Sequence, residues 1–577
     1  MIEKQDDVIQ VTQKETSPVD AIRKTPSLIA PTLCAIAYML CALLMAAPLN
    51  RAYDPVLRLQ VPLGDWLVRI GAWLPANWGL GSTQLQAQTN TSILQFLGLI
   101  ALVFLACGLC ALYISRLPEN SARHRQTRII LWTVAALAGL VFVFIPAMLS
   151  HDILVYASYS RLLAIYHANP YFVPLSAFPR DPYVSLNYWA DAVSAYGPLW
   201  LGVCWLVGLV VGPQVAAYVL AFRLFALAVH LFNIWLVART LRALGASQRT
   251  RTSGVLLYAW NPLVLLESAF GGHNDVFMLT FILLGIYLVA LAQQRDILTS
   301  PRGYLPPVAA FTLAALVKFT ALPVIALFLV FLAWNALRGD AATNTEARAQ
   351  STLQWEKALR AIIIACAAAG ALALAFYGPF WIGHSVSEIR SSFTSPPSAQ
   401  GAENSILRSI QSWIYVHGLP AGTLKGKLLQ IFSYRKVWDA LNIVLLTAVG
   451  LLGALWMWRT PAMRVFILAA LAAMGVLLIV TPWFFSWYVT WLVGLAAVAL
   501  PVRQNRVGCA LLVSTLAFSA SAPLTYLFLS GYPPFGIWSG LVCLTTITPP
   551  LLAFILTYLL WQPAIPVHLS DPENVHI

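Results

Sequence analysis

The sequence predicts an all-α polytopic membrane protein, and three observations carry that prediction. Of 577 residues, 59% are hydrophobic and only 10% charged, and the mean hydropathy is +0.75; a soluble domain carries about 25% charged residues. Apolar runs of the length a bilayer demands, about 20 residues, follow one another along almost the whole chain. The arginines gather in short loops between these runs, as in cytoplasmic loops. Topology thereby accounts for the net charge of +13, and no nucleic-acid partner is needed to explain it.

Residues 1–29 are polar and mixed in charge, too long and too acidic for the leading region of a cleaved signal. They predict a disordered cytoplasmic tail. Fourteen spans are predicted, near 30–49, 93–115, 129–149, 215–238, 254–270, 275–293, 304–320, 321–337, 359–379, 438–458, 464–481, 484–500, 508–528 and 537–561. An even number places both termini on one side. Arg116, Arg123, Arg125 and Arg128 share one loop, Arg239, Arg242, Arg249 and Arg251 another, and Arg459, Arg464, Arg503 and Arg506 two more. All four loops fall on the same side, which the positive-inside rule makes cytoplasmic. The 197–213 segment is apolar enough for a short span, but counting it would move the Arg239–Arg251 loop to the outer face. It is read as an interfacial or re-entrant helix. Lys318 and Pro323 leave little room for a turn between 304–320 and 321–337, so a pair of half-spans is an alternative there.

The organisation is then a tail (1–29), two spans with an outer loop (30–128), a module (129–500), C-terminal spans (501–561) and a second cytoplasmic tail (562–577). The eight cysteines lie in or beside apolar segments and form no disulfide-like or metal-like grouping. The Cys107/Cys110 pair reads as a coincidence of helical spacing.

Three segments face outward: 50–92, 150–214 and 380–437. The second holds the acids, tyrosines and prolines that lipid cannot accommodate. Asp152 opens a helix predicted over 153–167, and Tyr156 and Tyr159, at i+4 and i+7, share its face. Asp152 is an N-cap, a base toward an alcohol, or both; partial burial would raise its pKa toward the working pH. His151 is a second candidate base. Asn169-Pro170 ends the helix, and two short surface helices joined by proline turns are predicted, with Asp181 and Asp191 as caps or substrate contacts. The third segment is basic, with Arg390, Arg408, Lys425, Lys427, Arg435 and Lys436 against Glu388 and Glu403. It suits an anionic ligand or anionic membrane lipids equally.

Further along, Asn261-Pro262 and Glu267 precede Gly271-Gly272-His273-Asn274-Asp275 at the outer end of a hairpin, where the glycines admit close backbone approach and His273-Asn274-Asp275 offers donors and acceptors for sugar hydroxyls. His273 and Asp275 could also hold a divalent cation with Asp152 or Asp181. Arg161, Arg223 and Lys318 are cations beside or inside apolar runs, where each needs a partner. A lipid phosphate would serve Lys318, as would Glu267 or Asp275. Finally, Thr481 to Trp491 is an aromatic turn, in which Trp483 and Tyr488 suit sugar faces or prenyl chains.

This ordered set (HD-I-x-x-Y, NPY and YGPL in one loop, a later NP-L and HND turn, the lysine of ALVKFTALP and the PW-x-x-x-WY turn) resembles the polyprenyl-phosphomannose-dependent α-mannosyltransferases of the GT-C superfamily, the α-1,6 branch above all, over roughly 129–500. The resemblance implies a GT-C-type bundle with outward-facing amphipathic loop helices, in the bacterial plasma membrane. It implies an inverting transfer of a sugar, mannose, from a polyprenyl-phosphate-linked donor to a glycan or glycolipid hydroxyl on the outer face. Asp152 matches the base. His151, Tyr156, Tyr159, Arg161, Asp181, Arg223, His273, Asn274, Asp275, Lys318, Trp483 and Tyr488 are the substrate-binding candidates, with Lys318, Arg223 and the basic outer loop assigned to phosphate. The lipid-linked donor is a co-substrate, and a divalent cation is a possible addition. The region before 129 departs from the pattern: Asp54 and Asp65 have no comparable aromatic neighbours. A transporter or flippase of a lipid-linked sugar is the alternative, although the polar residues gather in loops and no repeat is evident. A non-catalytic assembly scaffold is a third reading.

Overall fold

The computed structural model describes residues 27–52, 61–338, 347–420, 422–502, 505–526 and 543–562, without the side chains of 347–353 and 502. The tails up to 26 and from 563, Asp54, Arg503 and the first part of the span predicted at 537–561 lie outside the described residues. The described residues are 78% helix, with no strand among them.

Among the described residues eleven helices are long and apolar enough to cross a membrane: Ile29–Ala52, Gln84–Arg116, Arg123–Phe144, Val215–Ala243, Asp275–Gln294, Phe319–Arg338, Gln354–Trp381, Arg435–Arg459, Met463–Val480, Arg506–Thr525 and Cys543–Leu560. Three of the fourteen predicted spans are shorter or interrupted, so the count of fourteen stands unconfirmed. The 254–270 span is broken: one helix covers Gln248–Ala259, and another restarts at Pro262 because the Asn261 side chain accepts the Val264 amide at 3.2 Å. Proline at the first helical position then fixes the restart, and the helix ends in a π-helical turn, Leu266–Phe270. The 304–320 span is Pro301–Val317, halted where Lys318 adopts extended backbone. It does fold back on Phe319–Arg338, for Phe311 and Phe328 meet across the turn with ring centroids 5.2 Å apart. The 484–500 span is the short apolar helix Ser486–Ala499. Pro198–Val210, the segment read as interfacial, is 13 residues long, about 20 Å and too short to cross alone.

The helices place the arginine loops at one end of the bundle. Arg128 donates to Gln248 and Thr252 at 3.1 and 2.9 Å, Arg249 to the Leu117 carbonyl at 2.7 Å, and Gln294 to the Ala243 carbonyl at 2.7 Å. Every segment carrying the candidate site lies at the other ends of the same helices. Asp152 follows Arg123–Phe144, His273 precedes Asp275–Gln294, Lys318 follows Pro301–Val317 and Trp483 follows Met463–Val480.

Between Asp152–Ala164 and Pro198–Val210 the second predicted surface helix does not form; the segment is turns with one 3-10 turn, Leu175–Ala177. Pro170, Pro174, Pro179 and Pro182 remove donors and push each preceding residue out of the helical region.

Candidate functional site

Asp152 starts its helix without capping it. The N-cap is His151, whose side chain makes no capping bond, and the Asp152 carboxylate turns instead to Tyr196, which donates to it at 3.2 Å, and to His273 Nδ1 at 3.5 Å. The other imidazole nitrogen, Nε2, lies 3.4 Å from Glu267 Oε2. His273 therefore sits between two carboxylates. Burial alone would lower the pKa of this histidine, but Asp152 and Glu267 outweigh it and raise it to about 9. The same contact corrects the expectation for Asp152. Burial pushes its carboxyl up, yet His273, Lys318 and Tyr196 together bring the pKa below its ordinary value.

The glycines beside His273 have a visible use. Gly272 sits at φ +63°, and a Cβ on Gly271 would fall 2.4 Å from His273 Cδ2, so the ring folds back over the turn only because no side chain precedes it. Trp487 stacks on it at 3.9 Å. Glu267, on the π-helical turn, accepts hydrogen bonds from Ser486 at 2.8 Å and from Tyr526. The His-Asn-Asp turn and the aromatic turn are thus fastened together.

Lys318 pairs with Asp275 at 3.0 Å, and Trp491 donates to the same carboxylate oxygen at 2.8 Å. The ammonium lies 4.0 Å from the Tyr488 ring centroid, a cation–π contact. Its position follows from close backbone packing. The Gly197 amide donates to the Val317 carbonyl at 3.0 Å, and a Cβ on Gly197 would stand 2.0 Å from the Leu316 carbonyl oxygen.

These groups border a cavity of about 420 Å³. Of the candidates, Asp152, Tyr159, Lys318, Trp483 and Tyr488 line it. His273 and Asp275 are buried behind it, where they contact Asp152 and Lys318 rather than reaching a sugar. Asn274 is buried as well and does not line the cavity, and neither polar atom of its side chain has a partner among the described residues. Tyr156 is fully buried, packed edge-on against Tyr196 and Trp200 at 5.4 and 4.9 Å. His151 is exposed and outside the lining, as is Asp65.

Three candidates serve structure instead. Arg161 donates to Asp181 at 2.7 Å, and Tyr166 and the Tyr183 amide complete that carboxylate at 2.8 and 2.9 Å. Arg223 spends its guanidinium on the carbonyls of Val143, Ile145 and Ala147 at 3.1, 2.7 and 2.6 Å. It satisfies the end of Arg123–Phe144, where helical carbonyls lack partners, and is not available to a phosphate.

Tyr196, Trp189, Trp487 and Arg435 also line the cavity. Tyr196 was legible only as part of the YGPL motif, and Arg435 only as one of six basic residues in its loop. That loop docks on the aromatic turn: the Glu403 amide donates to Pro482 and the Phe484 amide to Glu403, both at 2.9 Å. Arg435 reaches the Ser398 carbonyl at 3.0 Å and Asp439 at 3.2 Å. As for a divalent cation, no three His, Cys, Asp or Glu side chains among the described residues form a metal-holding group. Asp181 is saturated by Arg161, and His273 has a carboxylate at each nitrogen, so these residues do not fit one.

Comparison with known proteins bears out the likeness to α-1,6-mannosyltransferases, over a stretch that starts before residue 129 and stops short of 500. Residues 62–338 match the model of the Alpha-(1->6)-mannopyranosyltransferase family's N-terminal domain, a stretch that begins inside the 50–92 loop and includes Asp152, Glu267, His273, Asp275 and Lys318. A probable alpha-(1->6)-mannopyranosyltransferase of Mycolicibacterium smegmatis is 25% identical over 299 residues, covering 48% of either chain. An alpha-(1->6)-mannopyranosyltransferase of Mycobacterium tuberculosis is 27% identical over 161 residues, 27% of this chain and 26% of that one. The matched region thus spans about half the length of the first relative and a quarter of the second. No solved structure matches the chain.

Proposed function

We propose, from the match of residues 62–338 to the model of the alpha-(1->6)-mannopyranosyltransferase N-terminal domain, that the protein is an inverting membrane mannosyltransferase. It takes mannose from a polyprenyl-phosphate-linked donor and passes it to a hydroxyl of a glycan or glycolipid. The observation that carries this reading is the Asp152 carboxylate: it is 20% exposed, opens into an aromatic-lined cavity and is oriented from behind by His273.

In the reaction the acceptor oxygen attacks the anomeric carbon from the face opposite the phosphate. Its proton passes to Asp152, the new C–O bond forms, and the bond to the phosphate oxygen breaks with its electron pair leaving on polyprenyl phosphate. Inversion converts a β-linked donor into an α-mannoside. A carboxylate with a lowered pKa is a weak base but a fully ionised one. That suffices, because the leaving group is already stable and the hydroxyl becomes acidic only as its oxygen bonds to carbon. Most of the acceleration comes from positioning and from Lys318 facing the departing phosphate. Protonated Asp152 releases its proton through the open cavity.

The arginine-bearing end of the bundle is cytoplasmic by the positive-inside rule, which directs the cavity outward in the plasma membrane. The test uses purified protein, radiolabelled polyprenyl phosphomannose and a short mannoside acceptor. Transfer with an α-configured product is expected; transport of the donor across vesicles without transfer would replace this reading with a flippase.

A further inference from the structure

The end of the bundle opposite the cavity holds positive charge that the protein does not itself neutralise. The stretches 116–128 and 239–251 contain a single acid, Glu119. That carboxylate accepts the Arg249 amide at 3.2 Å, at the start of the helix Gln248–Ala259. Three of the arginines around it have partners that carry no charge. Arg249 reaches the Leu117 carbonyl at 2.7 Å, Arg123 donates to Gln126 at 2.8 Å, and Arg239 lies 5.3 Å from the centre of the Trp235 ring.

Arg128, Arg242 and Arg251 are placed differently. They come from three helices, Arg123–Phe144, Val215–Ala243 and Gln248–Ala259, and the packing of those helices brings them together. Arg128 gives one terminal nitrogen to Gln248 and Thr252 at 3.1 and 2.9 Å, the residues that stand at i−3 and i+1 from Arg251. Val215–Ala243 closes from the other side, for a Cβ on Gly254 would fall 2.4 Å from Leu241 Cδ1, and Leu241 adjoins Arg242. The charges of Arg242 and Arg251 both act on Arg128, and that of Arg242 acts on Arg251.

Among the described residues none of the three has a carboxylate within ion-pair distance. Arg251 Nε is buried without a hydrogen-bond partner. Elsewhere in the chain such cations are answered: Arg161 and Lys318 by carboxylates, Arg223 by three carbonyls. Arg128 and Arg251 are half-buried, where water and salt screen their repulsion less than at an open surface. A cluster of this kind is stable when an anion from outside the chain completes it.

We infer that Arg128, Arg242 and Arg251 form a phosphate-binding site, filled by the headgroup of an anionic phospholipid or by a soluble phosphate. Guanidinium groups match phosphate oxygens two at a time, and the three helix ends lie on the face that the positive-inside rule makes cytoplasmic, where anionic headgroups gather. One bound phosphate would tie the three ends together. The inference is independent of the transfer reaction and of Asp152.

The test is the melting temperature of the purified full-length protein in neutral detergent, titrated with phosphatidylglycerol, with zwitterionic phosphatidylcholine and with inorganic phosphate. A saturable rise in Tm with phosphatidylglycerol but not inorganic phosphate identifies a headgroup, and a rise with inorganic phosphate identifies a soluble ligand; either upholds the site. Arg242→Gln with Arg251→Gln is expected to weaken the apparent affinity about 10- to 100-fold, the range for hydrogen bonds to a charged group. Arg459→Gln with Arg464→Gln takes the same charge from another loop at that end and is expected to leave the affinity unchanged. With no anion added, Arg251→Gln is expected to melt no lower than wild type, because it relieves repulsion. A Tm that neither anion raises, an equal rise with phosphatidylcholine, or an equal loss of affinity in the two double variants overturns the inference. So does a fall in the anion-free Tm of Arg251→Gln, which would make Arg251 a structural residue.

Discussion

Asp152 and Asp181 come from one polar segment, and each is held by a basic partner, yet their surroundings differ. Asp181 has no exposed side-chain surface, and Arg161, Tyr166 and the Tyr183 amide occupy both its oxygens. Asp152 keeps 20% of its side chain open, accepts one hydrogen bond from Tyr196 and meets His273 at a loose 3.5 Å. A carboxylate in a membrane protein is thus not a site by virtue of being there. The unsaturated one, facing a cavity, can take a proton; the saturated one holds a loop to a helix. Lys318 and Arg223 repeat the contrast among cations, the first open to the cavity and the second consumed by three carbonyls.

The sharpest way to break the comparison is to make both aspartates neutral. Asp152→Asn is expected to lower kcat by about 10³-fold, within the range for removing a general base, with thermal stability close to wild type. Asp181→Asn is expected to do the reverse: breaking a buried ion pair costs about 3 kcal/mol, read as a fall in Tm, and the folded fraction retains its turnover. Undiminished transfer in Asp152→Asn would remove the base assignment.

Next in size is Lys318. Lys318→Met is expected to raise the donor KM about 10- to 100-fold, the worth of a hydrogen bond to a charged group. It also strands the buried Asp275. The double variant Lys318→Met, Asp275→Asn removes that stranded charge, so its Tm recovers while the donor KM stays high. Recovery of both would make Lys318 a structural partner only.

The parts of the site that were legible share one property: they are polar or glycine-rich where hydropathy alone would place lipid-facing residues. Asp152, the His273 turn, Lys318 and the aromatic turn stand out on that ground. Hydropathy reports depth along the bilayer normal and says little about which helices are neighbours. Hence the partner of Arg223, some 80 positions away in the chain, was beyond reach, as was the pairing of Glu267 with Ser486. The break at Asn261-Pro262 was misread for a different reason. The hydropathy runs one span through 254–270, whereas an asparagine followed by proline is also the start of a new helix. The raised pKa expected for Asp152 failed because burial was counted without its partner, and the partner lies 121 positions on, at His273.

That partner gives the pH test. His273 is raised to about 9 above an ordinary value near 6.5, so its contribution to stability is complete below the ordinary value and is lost as pH rises through 9. Tm is expected to fall across that interval. The rate is expected to hold from neutral pH to about 9 and then decline, as the imidazole ceases to pair with Asp152 and Glu267. His273→Gln keeps a hydrogen-bonding side chain there and removes the charge; its profile should lose the alkaline limb. A limb that persists in His273→Gln would assign it to another group.

The smallest expected effect contrasts two neighbours on the cavity's rim. Trp189 lines the cavity, with its ring 5.7 Å from Trp483, whereas Tyr188 beside it is 79% exposed and outside the lining. A sugar ring presents apolar C–H faces to an indole, and an aromatic contact of this kind is worth about 0.5–1.5 kcal/mol, or about 2- to 10-fold in affinity. Trp189→Ala is therefore expected to raise KM for the mannoside acceptor by that factor, with the donor KM and kcat unchanged, and Tyr188→Ala to leave all three alone. A rise in the donor KM instead would place the prenyl-linked sugar, not the acceptor, against Trp189 and reverse the direction in which the two substrates approach Asp152.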